Sequence, residues 1–249
     1  MIEKEKYFVF EDLVKEDVYH LFTKKPFNFD PNEVSEEEIQ KEYQEIESLL
    51  GCSFPKICQP LQTHTNIVKK VDENTVLPLE NVDGLVTNLK GVALVTRLAD
   101  CQGILLYDPK KKVIGNIHSG WKGTLGRIIK KAVLLMEEEY GCESQDIKAY
   151  ICPSIQKCCF EVEEDVMRAF KKEFKDLLVE ENITKGKPKE GRDKYYIDLV
   201  ALNQKVLQKI GLLPSHIFVS HICTKCEHEK IFSYRAEGHG RNTAWIALK

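Results

Sequence analysis

The sequence predicts an α/β fold: a single domain, residues 1–249, with mixed β-sheets flanked by helices. Three observations lead there. Strand-forming segments recur from end to end, interleaved with amphipathic stretches of helical period. Several strand-like runs, such as Ile104-Leu105-Leu106-Tyr107, are continuously apolar, as strands covered on both faces are. Neither an internal repeat nor a low-complexity tract interrupts the pattern.

Strands rich in β-branched and aromatic residues are predicted over 7–10, 66–71, 84–87, 92–96, 104–107, 113–117, 148–152, 217–222, 231–234 and 243–248. The first helix starts at Ser35, where Glu38 completes a capping box; Ile39, Tyr43, Ile46, Leu49 and Leu50 share one face, and Gly51 ends it. A second helix spans about 124–140, with Ile128, Ile129, Ala132, Leu135 and Met136 inward and Gly141 beyond its end. The third covers about 163–174, burying Val166, Phe170 and Phe174. Asp198 caps the fourth, which lines up Leu199, Leu202, Val206 and Ile210 before Gly211. Segment 184–193 has loop composition; strand-like 195–197 follows at once, so it reads as a surface excursion within the domain.

The net charge of −3, with lysines scattered among glutamates, argues against a nucleic-acid binder or a membrane-surface protein. A chain of 249 residues needs no covalent staples. Nine cysteines, an odd number, with no apolar leader after Met1-Ile2-Glu3-Lys4 and no membrane-length apolar run, point to a reducing cytoplasm. There the cysteines are thiols or metal ligands. The expected assembly is a monomer or small homo-oligomer.

Three segments carry soft metal ligands: Gln62-Thr63-His64, Ala99-Asp100-Cys101 and His118-Ser119-Gly120-Trp121, each placed where a predicted strand gives way to a loop. Two imidazoles and a thiolate are a zinc-type set, and three protein ligands leave the fourth position for water or substrate. Gaps of 37 and 17 residues match no short zinc-binding pattern, so local context selects them. Asp100 precedes Cys101 and is a candidate base, proton shuttle or orienting carboxylate. Gly120 and Gly123, before a helix, allow close backbone approach and an anion cradle. Arg235 and Arg241 carry the planar fork that suits phosphate, although surface ion pairs explain them as well; Lys122 and Arg127 share that ambiguity. His221-Ile222-Cys223-Thr224-Lys225-Cys226-Glu227-His228 has ligand types for a closed zinc site, but four ligands in eight residues fold back too tightly and a second C-x-x-C is missing. Free thiols are expected there, and a buried thiol beside an exposed one at Cys158-Cys159.

From about Leu61 to Lys249 the chain resembles the laccase-domain family, also called multicopper polyphenol oxidase-like proteins. The shared blocks are the three ligand segments, Asp83-Gly84-Leu85-Val86-Thr87, Lys122-Gly123-Thr124, Pro153-Ser154-Ile155, Cys158-Cys159-Phe160-Glu161-Val162, Asp198-Leu199, Cys223-Thr224, and Phe232-Ser233-Tyr234-Arg235 before Gly240-Arg241. The resemblance implies that His64, Cys101 and His118 bind Zn²⁺, with Cu²⁺ an alternative. It implies Asp100 and Cys101 at the reacting centre, and Gln62, Ser119, Arg235 and Arg241 at the substrate. The implied activities are phosphorolysis of adenosine, inosine and methylthioadenosine, and deamination of adenosine; the partners are then a purine nucleoside and phosphate. For deamination, the metal would make a water acidic enough to attack the purine C6. Other roles remain open: an amidase or hydrolase editing peptidoglycan precursors, with Cys101 as nucleophile and His118 as base, a copper polyphenol oxidase, or a binding module with a structural zinc. Seven histidines are too few for multicopper chemistry. The chain departs from the family at 23–29, where an Arg-Gly-Gly stretch is missing, at Gly103 in place of proline, and at Arg97 in place of a small residue. These departures bear on substrate preference. Residues 1–60 are expected to be a divergent part of the same domain.

Overall fold

The computed structural model describes residues 1–177 and 179–249. Two six-stranded sheets stack face to face. One runs β1(Ile2–Glu3)-β2(Tyr7–Val9)-β3(Val18–Thr23)-β15(Asn242–Leu248)-β7(Val92–Leu98)-β4(Lys56–Cys58). The other runs β14(Ile217–Val219)-β10(Lys148–Ile151)-β8(Gln102–Asp108)-β9(Val113–Ser119)-β6(Gly84–Thr87)-β5(Val68–Lys70). Both are mixed: β4/β7, β5/β6 and β10/β14 are parallel pairs among antiparallel ones. A small third sheet, β11(Glu161–Val162)-β13(Tyr195–Ile197)-β12(Ile183–Lys185), holds the predicted excursion against the body.

The two-residue period of a strand divides the core into three layers. Leu94 and Ile246 from one sheet meet Leu85, Leu105, Tyr107 and Ile114 from the other. The alternate residues Ile104, Leu106, Val113 and Ile117 face α4(Ile128–Tyr140) and α6(Leu199–Lys209). On the far side Ala93, Val95 and Trp245 face Ile39, Tyr43 and Ile46 of α2(Glu36–Leu50). The strands therefore read as continuous apolar runs because both of their faces are covered. Asn116 is one of the buried polar residues of this interior. Its amide donates to the Leu94 and Ala244 carbonyls at 2.9 and 2.8 Å and accepts from Thr96 Oγ1 at 2.8 Å, tying the sheets together.

The capping box at Ser35 and the Asp198 cap form as predicted. The helix expected over 124–140 instead breaks in two: α3(Trp121–Leu125) ends at Gly126, and Arg127 takes a left-handed φ of 52° before α4. The remaining helices are α1(Glu11–Val14), α5(Glu164–Glu173) and α7(Tyr234–Glu237). The strand expected over 231–234 is absent. The Asn242 side chain accepts from the Phe232 N–H and donates to the Phe232 carbonyl, replacing a ladder partner, and α7 begins at Tyr234. The apolar run there reflects a buried loop. Among the described residues no helix is long and apolar enough to cross a membrane.

Candidate metal centre and substrate pocket

Three chain segments converge at one end of the central sheet. Cys101 lies in the tight connection between β7 and β8, His64 in the loop before β5. His118 stands inside β9, one residue before its end, and not in a loop as its sequence context suggests. Their ligand atoms lie within 4.8 Å of one another. Cys101 Sγ is 3.7 Å from His64 Nε2, and tetrahedral zinc with Zn–S of about 2.3 Å and Zn–N of about 2.05 Å sets an S···N separation of about 3.6 Å. The two imidazole rings meet edge to face, 4.9 Å between centroids. The donor set and its spacing fit a zinc ion.

A fourth residue, Asp83, organises the three. It is fully buried. Its Oδ1 accepts from His118 Nδ1 at 2.7 Å and from the His64 N–H at 3.0 Å. Its Oδ2 accepts from the Thr65 N–H and hydroxyl at 2.7 and 2.6 Å. With Nδ1–H engaged, His118 presents Nε2 to the centre, the carboxylate–histidine relay typical of metal sites. Burial alone would raise the Asp83 carboxyl, but His118 and Thr65 hold it down at about 2. Burial likewise opposes the Cys101 thiolate, yet His118 and His64 bring the thiol down to about 6. His118, buried, is raised to about 9 by the Cys101 and Asp83 charges. Both shifts favour the thiolate–imidazolium form of the pair. From sequence Asp83 stands only as the first residue of a shared block, with no role assigned; only the fold brings it to His118.

Asp100 has a left-handed φ of 84°. Its Oδ1 accepts from Thr224 Oγ1 at 2.7 Å and Ser233 Oγ at 2.6 Å, and its Oδ2 from the Arg235 N–H at 2.7 Å. The carboxylate put forward as a proton shuttle is engaged at both oxygens in tying the Cys101 connection to Thr224, Ser233 and the start of α7.

The centre opens on a cavity of about 540 Å³, within the roughly 300–1,000 Å³ of small-molecule sites. Trp121, Phe160, Leu199 and Tyr234 supply apolar and aromatic wall, and Arg97, Arg235 and Arg241 supply charge. The Arg235 guanidinium lies over Phe160, 5.4 Å from the ring centroid, and donates to the Glu161 carbonyl. Arg241 pairs with Asp30 at 3.1 Å. Arg97 joins the wall with its buried Nε lacking a hydrogen-bond partner; sequence reasoning had noted it only as a departure. Gln62 lines the cavity, but both ends of its amide are held by the Arg97 backbone, at 2.9 and 2.8 Å. Ser119 stands behind the wall, fully buried, its hydroxyl bonded to Thr124 and Asn203. Gly103 sits between the sheets, where a Cβ would come within 2.6 Å of Leu98. At Gly123 a Cβ would lie 3.3 Å from the Thr65 carbonyl, so this glycine lets α3 approach the His64 loop. Arg127 turns away to Glu173 and Asp176, and Lys122 covers Trp121.

The sequence profile of the family described as "Multi-copper polyphenol oxidoreductase laccase" matches residues 25–249. The chain belongs to this laccase family. A Borreliella burgdorferi relative named "Purine nucleoside phosphorylase" is 34% identical over 246 residues, 98% of this chain and 97% of that one. A relative from an unknown prokaryotic organism, "Adenosine deaminase RL5", is 37% identical over 199 residues, 76% of this chain and 73% of that one. Among solved structures, the Bacillus licheniformis "hypothetical protein YfiH" superposes with a TM-score of 0.86 at 25% identity, covering 99% and 98% of the two chains. YlmD from Geobacillus stearothermophilus gives 0.85 at 25% identity, covering 100% and 98%. Both share the α/β sandwich seen here. Relatives bearing phosphorylase and deaminase names make an enzyme of this kind the coarse reading, and the Cys/His cluster is one that could hold a metal ion.

Proposed function

We propose that the chain is a zinc-dependent purine nucleoside enzyme that cleaves adenosine, inosine and methylthioadenosine with phosphate and also deaminates adenosine. One arrangement carries this: a three-ligand His-Cys-His centre opening on a cavity whose wall combines flat apolar side chains with three arginines. The purine packs against Trp121, Phe160 and Tyr234, and phosphate takes the guanidinium donors of Arg97 and Arg235, with Arg241 beside them. A zinc ion held by His64, Cys101 and His118 supplies Lewis acidity at the nucleoside. Asp83 fixes the His118 tautomer. Asp100 positions Cys101 and the Arg235 backbone, because both its oxygens are committed to Thr224, Ser233 and Arg235. Gln62 at the cavity wall and Ser119 behind it support the site. Residues 1–60 belong to the same catalytic unit, since Asp30, Pro31 and Asn32 reach the cavity. The expected compartment is the cytoplasm.

The family's description implies copper oxidation, but a single histidine-containing cluster among the described residues does not supply the several centres that multicopper chemistry needs. A second reading has one observation in its favour: Cys101 and His118 lie side by side, each shifted toward its charged form, as in the pair a cysteine hydrolase uses. The test is to incubate zinc-loaded protein with adenosine and phosphate and to separate adenine, ribose 1-phosphate and inosine. All three products are expected, with loss of all three in Cys101→Ala and after chelation. Formation of none would refute the proposal, and full activity after complete metal removal would favour the cysteine reading.

A further inference from the structure

Outside the pocket, the fold brings together four thiols that the sequence had left as free cysteines. Cys158 and Cys159 occupy a turn closed by the Cys159 and Phe160 amides on the Gln156 carbonyl. Cys223 and Cys226 occupy a second turn, closed by the Glu227 amide on the Cys223 carbonyl. All four sulfurs lie within 4.8 Å of one another. The separations are 3.7 Å for Cys158–Cys159, 3.9 Å for Cys158–Cys226 and 3.6 Å for Cys159–Cys226. A tetrahedral tetrathiolate with Zn–S of about 2.3 Å has sulfur–sulfur edges of about 3.8 Å. Sulfurs poised for two disulfides would instead fall into two close pairs; here Cys226 is equidistant, within 0.3 Å, from both members of the vicinal pair. The Gln156 N–H also points at Cys223 Sγ, at 3.5 Å, the amide-to-sulfur contact that stabilises a thiolate ligand.

We propose that Cys158, Cys159, Cys223 and Cys226 form a second, closed zinc site that cross-links the two turns. Binding displaces four thiol protons as four Zn–S bonds form, leaves no open coordination position, and makes the site structural. The sequence hid it because the second ligand pair is vicinal and lies about 65 residues from the C-x-x-C. Its location gives the cross-link a purpose. Residues 220–233 contain neither helix nor strand, yet Thr224 from this stretch donates to Asp100. Phe160 and Glu161, just past the other turn, carry the Arg235 guanidinium. A metal there holds both supports of the arginine wall in register.

Full-length protein refolded or purified under reducing conditions with zinc should contain two equivalents of metal by elemental analysis. The His64→Ala/His118→Ala double variant, which leaves all four cysteines in place, should retain one, and X-ray absorption should show four sulfurs at about 2.3 Å and no nitrogen. Cys158→Ser/Cys226→Ser should retain one in a mixed nitrogen–sulfur shell. If the cysteine variant fails to fold, the histidine variant still decides. One equivalent in the wild type with none in the histidine variant would overturn the proposal. So would a native mass 2 Da lower that marks a disulfide within the cluster.

Discussion

Replacing Asp83 by asparagine tests how the metal centre is organised. The carboxylate takes four donors in the 2.6–3.0 Å range, two on each oxygen. An amide has one accepting oxygen, so one pair of donors must face an N–H₂ group. If that group points at Oδ1's place, it opposes the His64 N–H and forces His118 to accept at Nδ1, which puts the ring proton on the ligating nitrogen. If it points at Oδ2's place, the Thr65 hydroxyl turns to accept but the Thr65 N–H stays opposed. The second orientation costs less, and it still forfeits one charge-assisted bond, worth about 1.5–3 kcal/mol, while weakening the others. The metal-free Asp83→Asn protein should therefore be less stable by about 2–5 kcal/mol in urea titrations. Its zinc affinity, measured by competition with a chromophoric chelator, should fall about 10–100-fold, or about 1.4–2.7 kcal/mol. An unchanged zinc affinity in the folded variant would refute the orienting role of Asp83.

Gly120 has an ordinary φ of −72°, but a Cβ there would come within 2.9 Å of His64 Cδ2 and 3.0 Å of Cys101 Sγ; Gly120→Ala should weaken zinc at least tenfold by the same competition while leaving the circular dichroism spectrum intact. Asn116→Leu strands two carbonyls and the Thr96 hydroxyl between the sheets and should cost about 2–4 kcal/mol in urea unfolding. His20 is buried, accepts from the Phe10 N–H, and is lowered from its usual value to about 4 by that burial. The unfolded chain therefore binds a proton near pH 6.5 that the folded chain refuses until about pH 4, so stability present above pH 6.5 is lost as pH falls through this window, by about 3 kcal/mol in all. Glu42, pushed up to about 7 by its own burial, acts in the opposite sense; the readout is thus the difference between wild type and His20→Gln, whose stability curves should converge toward pH 4, and parallel curves would refute the assignment.

The parts of the molecule that the sequence made legible are those where chemistry is local. A capping box needs only Ser35 and Glu38, and continuous apolar runs report strands covered on both faces. His64, Cys101 and His118 stood out for the same reason, each in a short context unlike a core or a solvated face. What stayed hidden depends on distant pairing. Asp83 and His118 meet because β6 and β9 are antiparallel neighbours, with Gly84 opposite Ile117. Strand β3 was missed because His20 and Tyr19 break its apolar run, although it sits inside a sheet between β2 and β15. The 231–234 stretch misled in the opposite direction, its loop buried by one asparagine side chain. Arg97, seen from sequence only as an oddity, gains meaning when β7 delivers it to the cavity wall.

The two carboxylates near the centre solve one structural problem twice. His64 and Asp100 both have left-handed backbones, with φ of 61° and 84°, a conformation that costs a non-glycine residue on the order of 1–3 kcal/mol. Each strained position lies at a proposed ligand: His64 is one, and Asp100 adjoins Cys101. Asp83 offsets the first with bonds to the His64 and Thr65 amides. Asp100 offsets the second with bonds to Thr224, Ser233 and the Arg235 amide. Several charge-assisted bonds at each site exceed the local strain, so both ligand loops are set by protein contacts before any cation arrives. The Asp100 web also reaches the backbone of Arg235, so the group that fixes the thiolate fixes the start of the arginine wall. The proposed metal ligands and the arginine wall are thereby held to one frame, which is the requirement that the proposed reaction sets, bringing phosphate and a polarised nucleoside together at a single point.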